Sequence, residues 1–144
     1  MKPLLAALLL APALHAASVT VSDPESARKA VRDAKPGDTI LLSAGEWKDA
    51  DVRFDGEGTA EAPITIRAET PGKTVFTGAS RLRLGGSHLV VSGLHLHNLS
   101  GAKADWLEFR IDSKRRATRC RVTDCAFTED AAFTAAEKEN RWVG

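Results

Sequence analysis

The chain has 144 residues, 43% hydrophobic and 27% charged, with 20 Lys and Arg against 19 Asp and Glu. That length makes one domain at most. An ordinary apolar fraction with almost no net charge argues against disorder, and no overall positive field exists for a general nucleic-acid binder. Two cysteines exclude a disulfide-dense miniprotein and a cysteine-rich zinc module.

The first segment reads as a secretory signal peptide over residues 1–17. A cationic start at Lys2 precedes the apolar run Leu4 to Leu10 and the small residues Ala16 and Ala17. The run is shorter than the roughly 20 residues that span a bilayer. Cleavage after Ala16 or Ala17 implies an exported protein, periplasmic or extracellular, with no membrane segment left. The mature chain, 18–144, is then formally neutral.

Ser22-Asp23-Pro24-Glu25 marks a helix start, with a capping side chain, proline in the first turn and an acid near the positive dipole end. Ala27, Ala30, Val31 and Ala34 fall on one face, and Lys35-Pro36-Gly37 ends the helix. Beyond Gly37 the period shortens. Thr39 to Leu42, Pro63 to Arg67, Lys73 to Phe76, Leu82 to Leu84, His88 to Val91, Leu94 to His97 and Cys120 to Val122 read as short strands. Pro71-Gly72, Gly78, Gly85-Gly86, Gly93, Asn98 and Gly101 supply turn chemistry between them.

Strands recur about every 25 residues: Leu42 to Ile66, Ile66 to Val91, Leu84 to Phe109 and Leu96 to Val122 are separated by 24 to 26 positions. Such a period predicts an all-β solenoid, a right-handed parallel β-helix with inward residues stacking coil on coil. The competing fold is an antiparallel sandwich. It needs tight hairpin signals, of which only Asp55-Gly56 occurs. In the solenoid, the helix over 24–34 caps the first coil. At the other end Trp142-Val143-Gly144 has the look of a strand beginning, so the solenoid is expected to be truncated there.

Three groups are candidates for chemistry. His95 and His97 share one strand face, but two imidazoles without a third ligand read as solvent-exposed strand histidines, so no metal ligand is assigned. Cys120 and Cys125 read as thiols, Cys120 stacking inward with Val122. Lys114, Arg115, Arg116, Arg119 and Arg121 place five cations within eight residues. If Cys120 and Val122 face inward, Arg119 and Arg121 share the outer face. With Arg116 they form the candidate binding set for the carboxylates of a polyanion. The alternative is a solvated loop partnered by Asp105, Glu108, Asp112 or Asp124. No glycosidase carboxylate pair, nucleophile motif or phosphate loop is identified.

The chain also resembles the N-terminal part of polysaccharide lyase family 6, which holds alginate lyases and chondroitinase B. The resemblance lies in Lys35-Pro36-Gly37-Asp38-Thr39-Ile40-x-Leu42-x-x-Gly45-x-Trp47 and Gly58-Thr59-x-x-x-Pro63-Ile64-Thr65-Ile66-Arg67-Ala68-Glu69-Thr70-Pro71-Gly72. It continues through Thr77-Gly78-x-Ser80-x-Leu82-x-Leu84-x-Gly86, Leu89-Val90-Val91-x-Gly93-Leu94 and Cys120-Arg121-Val122-Thr123. It implies a capped right-handed β-helix and an exported enzyme cutting uronic-acid polysaccharides by calcium-assisted β-elimination. In the family, the catalytic Lys and Arg and the calcium-binding Asn and Glu lie farther along than this chain extends. No catalytic residue and no bound cofactor is therefore expected on these residues, and the chain by itself is expected to be inactive. A non-catalytic β-helix module binding acidic glycans is the alternative, and a structural surface β-helix protein a third.

Overall fold

The computed structural model describes residues 16–100 and 105–130. Most of the expected signal peptide and the expected strand start at Trp142 lie outside these described residues. The elements run β1 (Ser18–Val21), α1 (Pro24–Asp33), β2 (Thr39–Leu42), β3 (Gly45–Lys48), β4 (Asp51–Glu57), β5 (Ile64–Ala68), β6 (Thr74–Gly78) and β7 (Arg81–Ser87). They continue with β8 (Leu89–Ser92), β9 (Leu94–Leu99), β10 (Leu107–Glu108), β11 (Ala117–Thr118), β12 (Arg121–Thr123) and β13 (Ala126–Thr128).

From β2 onward the chain deals its strands to three sheets in rotation. One sheet has the order β1-β2-β5-β8-β12, a second β3-β6-β9-β13, and in the third β4, β10 and β11 all pair with β7. Every ladder between these strands is parallel, which removes the antiparallel sandwich. The single antiparallel contact among the described residues is the bridge between Arg110 and Arg116.

Inward side chains stack in columns because paired strands keep their parity. Ile40 registers with Ile66, Ile66 with Val91 and Val91 with Val122. Trp47, Phe76, Leu96 and Phe127 form a second column, its first two rings 5.5 Å apart. Val52, Leu82 and Leu107 form a third. Ile40, Ile66, Phe76, Val52 and Leu82 are at most 2% exposed.

These registers correct the expected 25-residue repeat. Ile66 to Val91 spans 25 positions and Leu82 to Leu107 likewise. Leu42, however, pairs Ala68 rather than Ile66, and Leu96 pairs Phe127, not Val122 in the neighbouring sheet. The interval shrinks to 20 between Phe76 and Leu96 and stretches to 31 between Val91 and Val122. Turn length varies freely at the surface, whereas the inward column tolerates only an apolar side chain of the right parity.

The glycine pair Gly85-Gly86, expected in a turn, and the hairpin signal Asp55-Gly56 both lie inside strands. Asp55 registers with Gly85 and Gly56 with Gly86. Gly86 has φ +91°, and a Cβ there would run into the carbonyl oxygen of Gly56, so the close approach of β7 to β4 requires glycine.

Helix α1 begins where expected. The Asp23 carboxylate accepts from the N–H groups of Glu25 and Ser26 at 3.0 and 2.9 Å. Ala27 and Val31 are fully buried, and α1 packs chiefly on β4. There the Val31 carbonyl and Cγ1 lie just over 3 Å from where a Cβ on Gly56 would stand.

Candidate functional site

The corners between sheets determine where the polar groups converge. After β3, Asp49 takes φ +52°, and within β9 Asn98 takes φ +47°, a left-handed conformation that Asp and Asn tolerate better than most residues. Both use it in the same way. Asp49 Oδ1 accepts the N–H of Ala79 at 2.8 Å, and Asn98 Oδ1 accepts the N–H of Asp130 at 2.9 Å. Each side chain thereby satisfies a backbone donor about one coil later.

On the second sheet His95 and His97 project together, opposite buried Leu94 and Leu96, as the alternation requires. They are half-buried rather than freely exposed. Thr128 stacks beneath them, its hydroxyl 2.7 Å from His95 Nε2 and 2.8 Å from His97 Nδ1. A hydroxyl has one proton, so it donates to one ring and accepts from the other. Burial, and then the charge of His97, lower the pKa of His95. Among the described residues no three His, Cys, Asp or Glu side chains are grouped to hold a metal ion. Cys120 and Cys125 are free and partly buried, and burial pushes both thiols up.

The outer face of the third sheet carries a ladder of ion pairs. Arg83 Nη2 reaches both oxygens of Asp51 at 2.7 and 2.6 Å. Glu108, only 8% exposed, accepts from Arg81 at 2.6 Å and Arg110 at 3.2 Å. Burial alone would raise the Glu108 pKa, but the two guanidinium groups outweigh it and the net shift is downward. Arg115 pairs with Asp55 and Glu57, each at 2.6 Å. Two of the four acids expected to balance the basic stretch, Glu108 and Asp112, form no ion pair with it. Glu108 is taken by Arg81 and Arg110, while Asp112 accepts the N–H groups of Lys114 and Arg115.

Of the three predicted binding residues, the structure brings two together. Arg119 and Arg121 line one concave pocket of about 350 Å³ with Thr59, Ala60, Pro63, His88, Val90 and Cys120. Among the described residues neither guanidinium has a hydrogen-bond or ion-pair partner. Arg116 is exposed and stands outside this pocket, its carbonyl accepting the N–H of Gly86 at 3.1 Å.

The sequence reading missed His88 and the 58–63 turn. His88 has φ +50° and Arg119 φ +55°, and they mark the same corner on successive coils. The His88 N–H donates to the Thr118 carbonyl at 3.1 Å. A Cβ on Gly58 would lie 2.6 Å from the His88 carbonyl oxygen, so glycine lets the turn close on this corner. The available signal was Gly56-x-Gly58 just before the turn, but glycine spacing alone does not name its contact.

The model of the Chondroitinase B family matches residues 21–144. The chain belongs to the chondroitinase B family. Solved structures agree with this assignment to polysaccharide lyase family 6. The alginate lyase AlyGC is 40% identical, with TM-score 0.73 over 77% of this chain and 15% of its own. A mannuronic acid specific family 6 lyase from human gut microbiota is 29% identical, with TM-score 0.68 over 75% of this chain and 25% of its own. A family 6 polysaccharide lyase from Pseudopedobacter saltans is 28% identical, with TM-score 0.73 over 87% of this chain and 28% of its own. The chain thus spans between about a seventh and just over a quarter of each of these relatives. No curated sequence matches it. Calcium, which membership of family 6 implies, has no fitting ligand set among the described residues, and no step of the chemistry is assigned to them through it.

Proposed function

We propose that this chain forms the N-terminal coils of an exported polysaccharide lyase acting on uronic-acid polysaccharides, alginate or dermatan or chondroitin sulfate, by β-elimination. The observation that carries the reading is the family match over residues 21–144, on a chain whose strands rotate through three parallel sheets. The architecture is read as a right-handed parallel β-helix, since parallel crossovers are right-handed in about 98% of cases. Helix α1 is read as the cover of its first coil, supported by buried Ala27 and Val31. Residues 1–17 are read as a signal peptide and the product as periplasmic or extracellular.

The elimination needs a base for the proton at C5, a donor for the leaving oxygen and a positive group on the uronate carboxylate. When bound, calcium supplies the last of these. The described coils are read as binding and orienting glycan through their guanidinium groups rather than breaking it. The 144-residue chain, assayed for unsaturated-uronate absorbance on alginate and dermatan sulfate, is expected to show no turnover. Robust calcium-dependent activity would overturn this division of labour.

A second reading, a non-catalytic module binding acidic glycans through Arg116, Arg119 and Arg121, is favoured by one observation: Arg119 and Arg121 line one pocket and have no partner among the described residues. Salt-sensitive binding lost on charge reversal at Arg119 and Arg121 supports it, and binding indifferent to those changes rejects it.

A further inference from the structure

We propose that the corner pocket between the 58–63 turn, His88 and Arg119 to Arg121 is a carboxylate subsite that seats a single uronate residue. The inference rests on the acidic-glycan reading above and gives it a place and a stereochemical form.

Charge distribution points to this corner. Across the third sheet, the guanidinium groups of Arg81, Arg83 and Arg115 are each neutralised by a carboxylate within 2.6 Å. One corner farther on, Arg119 and Arg121 share a concavity whose lining residues include no carboxylate. Two such groups around one hollow match a planar carboxylate, which each can grip with paired N–H bonds.

The left-handed turn at Arg119 brings this about. An extended residue there would continue β11, whereas φ +55° swings the chain into β12 and lets residues 119 and 121 line one hollow. The remaining wall suits a sugar ring. Ala60, Pro63 and Val90 offer apolar surface for pyranose C–H groups, and the volume lies in the ordinary ligand range of roughly 300–1,000 Å³.

His88 belongs to the lining. Both its ring nitrogens are shielded from solvent and lack a hydrogen-bond partner. The ring therefore serves as a built-in reporter. A carboxylate held by Arg119 and Arg121 would add negative charge beside an imidazole that makes no hydrogen bond and has only the nearby Glu57 carboxylate as a charged neighbour, and that changes the field at the ring.

The test follows the His88 ring by NMR in the 144-residue chain at fixed ionic strength, its signals assigned by their loss in His88→Gln. A mannuronate trisaccharide is expected to shift the ring signals in a saturable way. Arg119→Gln and Arg121→Gln, whose thermal unfolding should match the parent, are each expected to weaken binding about tenfold, as for loss of a charge-assisted hydrogen bond. A carboxyl-reduced trisaccharide and inorganic phosphate should leave the ring unmoved. If the trisaccharide binds while His88 stays silent, the pocket is wrong and the glycan reading survives. Should no acidic oligosaccharide bind at all, both fall. An equal response to phosphate or to the reduced sugar overturns the uronate assignment.

Discussion

Ser80 shows how single residues hold one coil to the next. It is fully buried, and its hydroxyl accepts the N–H of Ala50 at 2.9 Å while lying within donating reach of the carbonyls of Thr77 and Trp47. Ser80→Ala leaves the Ala50 donor unpaired in the interior, where an unmet backbone group costs about 1–3 kcal/mol. The expected outcome is a lower urea midpoint with an unchanged slope, and an unchanged midpoint would show that another group takes over. Thr74, also fully buried, ties the carbonyls of Leu42 and Ser43 at 3.0 Å in a similar way. Glu108 makes stability depend on pH. Its folded pKa lies below its ordinary value, so its contribution is present above the unfolded pKa and is lost as pH falls through the folded one. The parent should lose stability below about pH 4. Glu108→Gln should be less stable at neutral pH by on the order of 1–2 kcal/mol and lose less on acidification, as read from melts between pH 7 and 3. A variant parallel to the parent at every pH would show that the Arg81 and Arg110 pairs contribute nothing.

At the scale of elements, the helix and the strands differ in how openly they announce themselves. Asp23, Pro24 and the Ala27–Val31 spacing define α1 locally, and it forms where that chemistry says. Strands β2, β5, β8 and β9 were equally legible, because alternation and β-branched residues coincide in them. Strands β1, β3 and β4 were not. Gly45 starts β3 although glycine usually ends a strand. Gly56 lies within β4 because Gly86 packs over it. In these segments pairing with the next coil overrides local propensity. Helix α1 packs chiefly on β4, and Val31 is its deepest anchor. Val31→Ala should cost about 1–3 kcal/mol, and Val31→Asp, which buries a charge, considerably more. If α1 covers an otherwise open coil, Val31→Asp should also promote association on sizing chromatography. A variant that is destabilised yet stays monomeric would reject the capping role while leaving the packing intact.

For the whole molecule, length and charge take on a different sense once the coil is known. A chain average near neutrality conceals a sheet face where acids and bases cancel in pairs and a corner where two guanidinium groups are left over. The sequence by itself determined the parallel stack of short strands, the position and cap of the helix and the family, because each depends on local periodicity or on a string of matched residues. It also singled out Arg119 and Arg121. Only the tertiary structure decided that Arg115 is spent on Asp55 and Glu57, that Arg116 stands apart, and that His88 and the 58–63 turn complete the pocket. The reason is the coil itself. Residues 30 to 60 positions apart become neighbours through turns of unequal length, and no local pattern in the chain encodes which coil will pass beneath which.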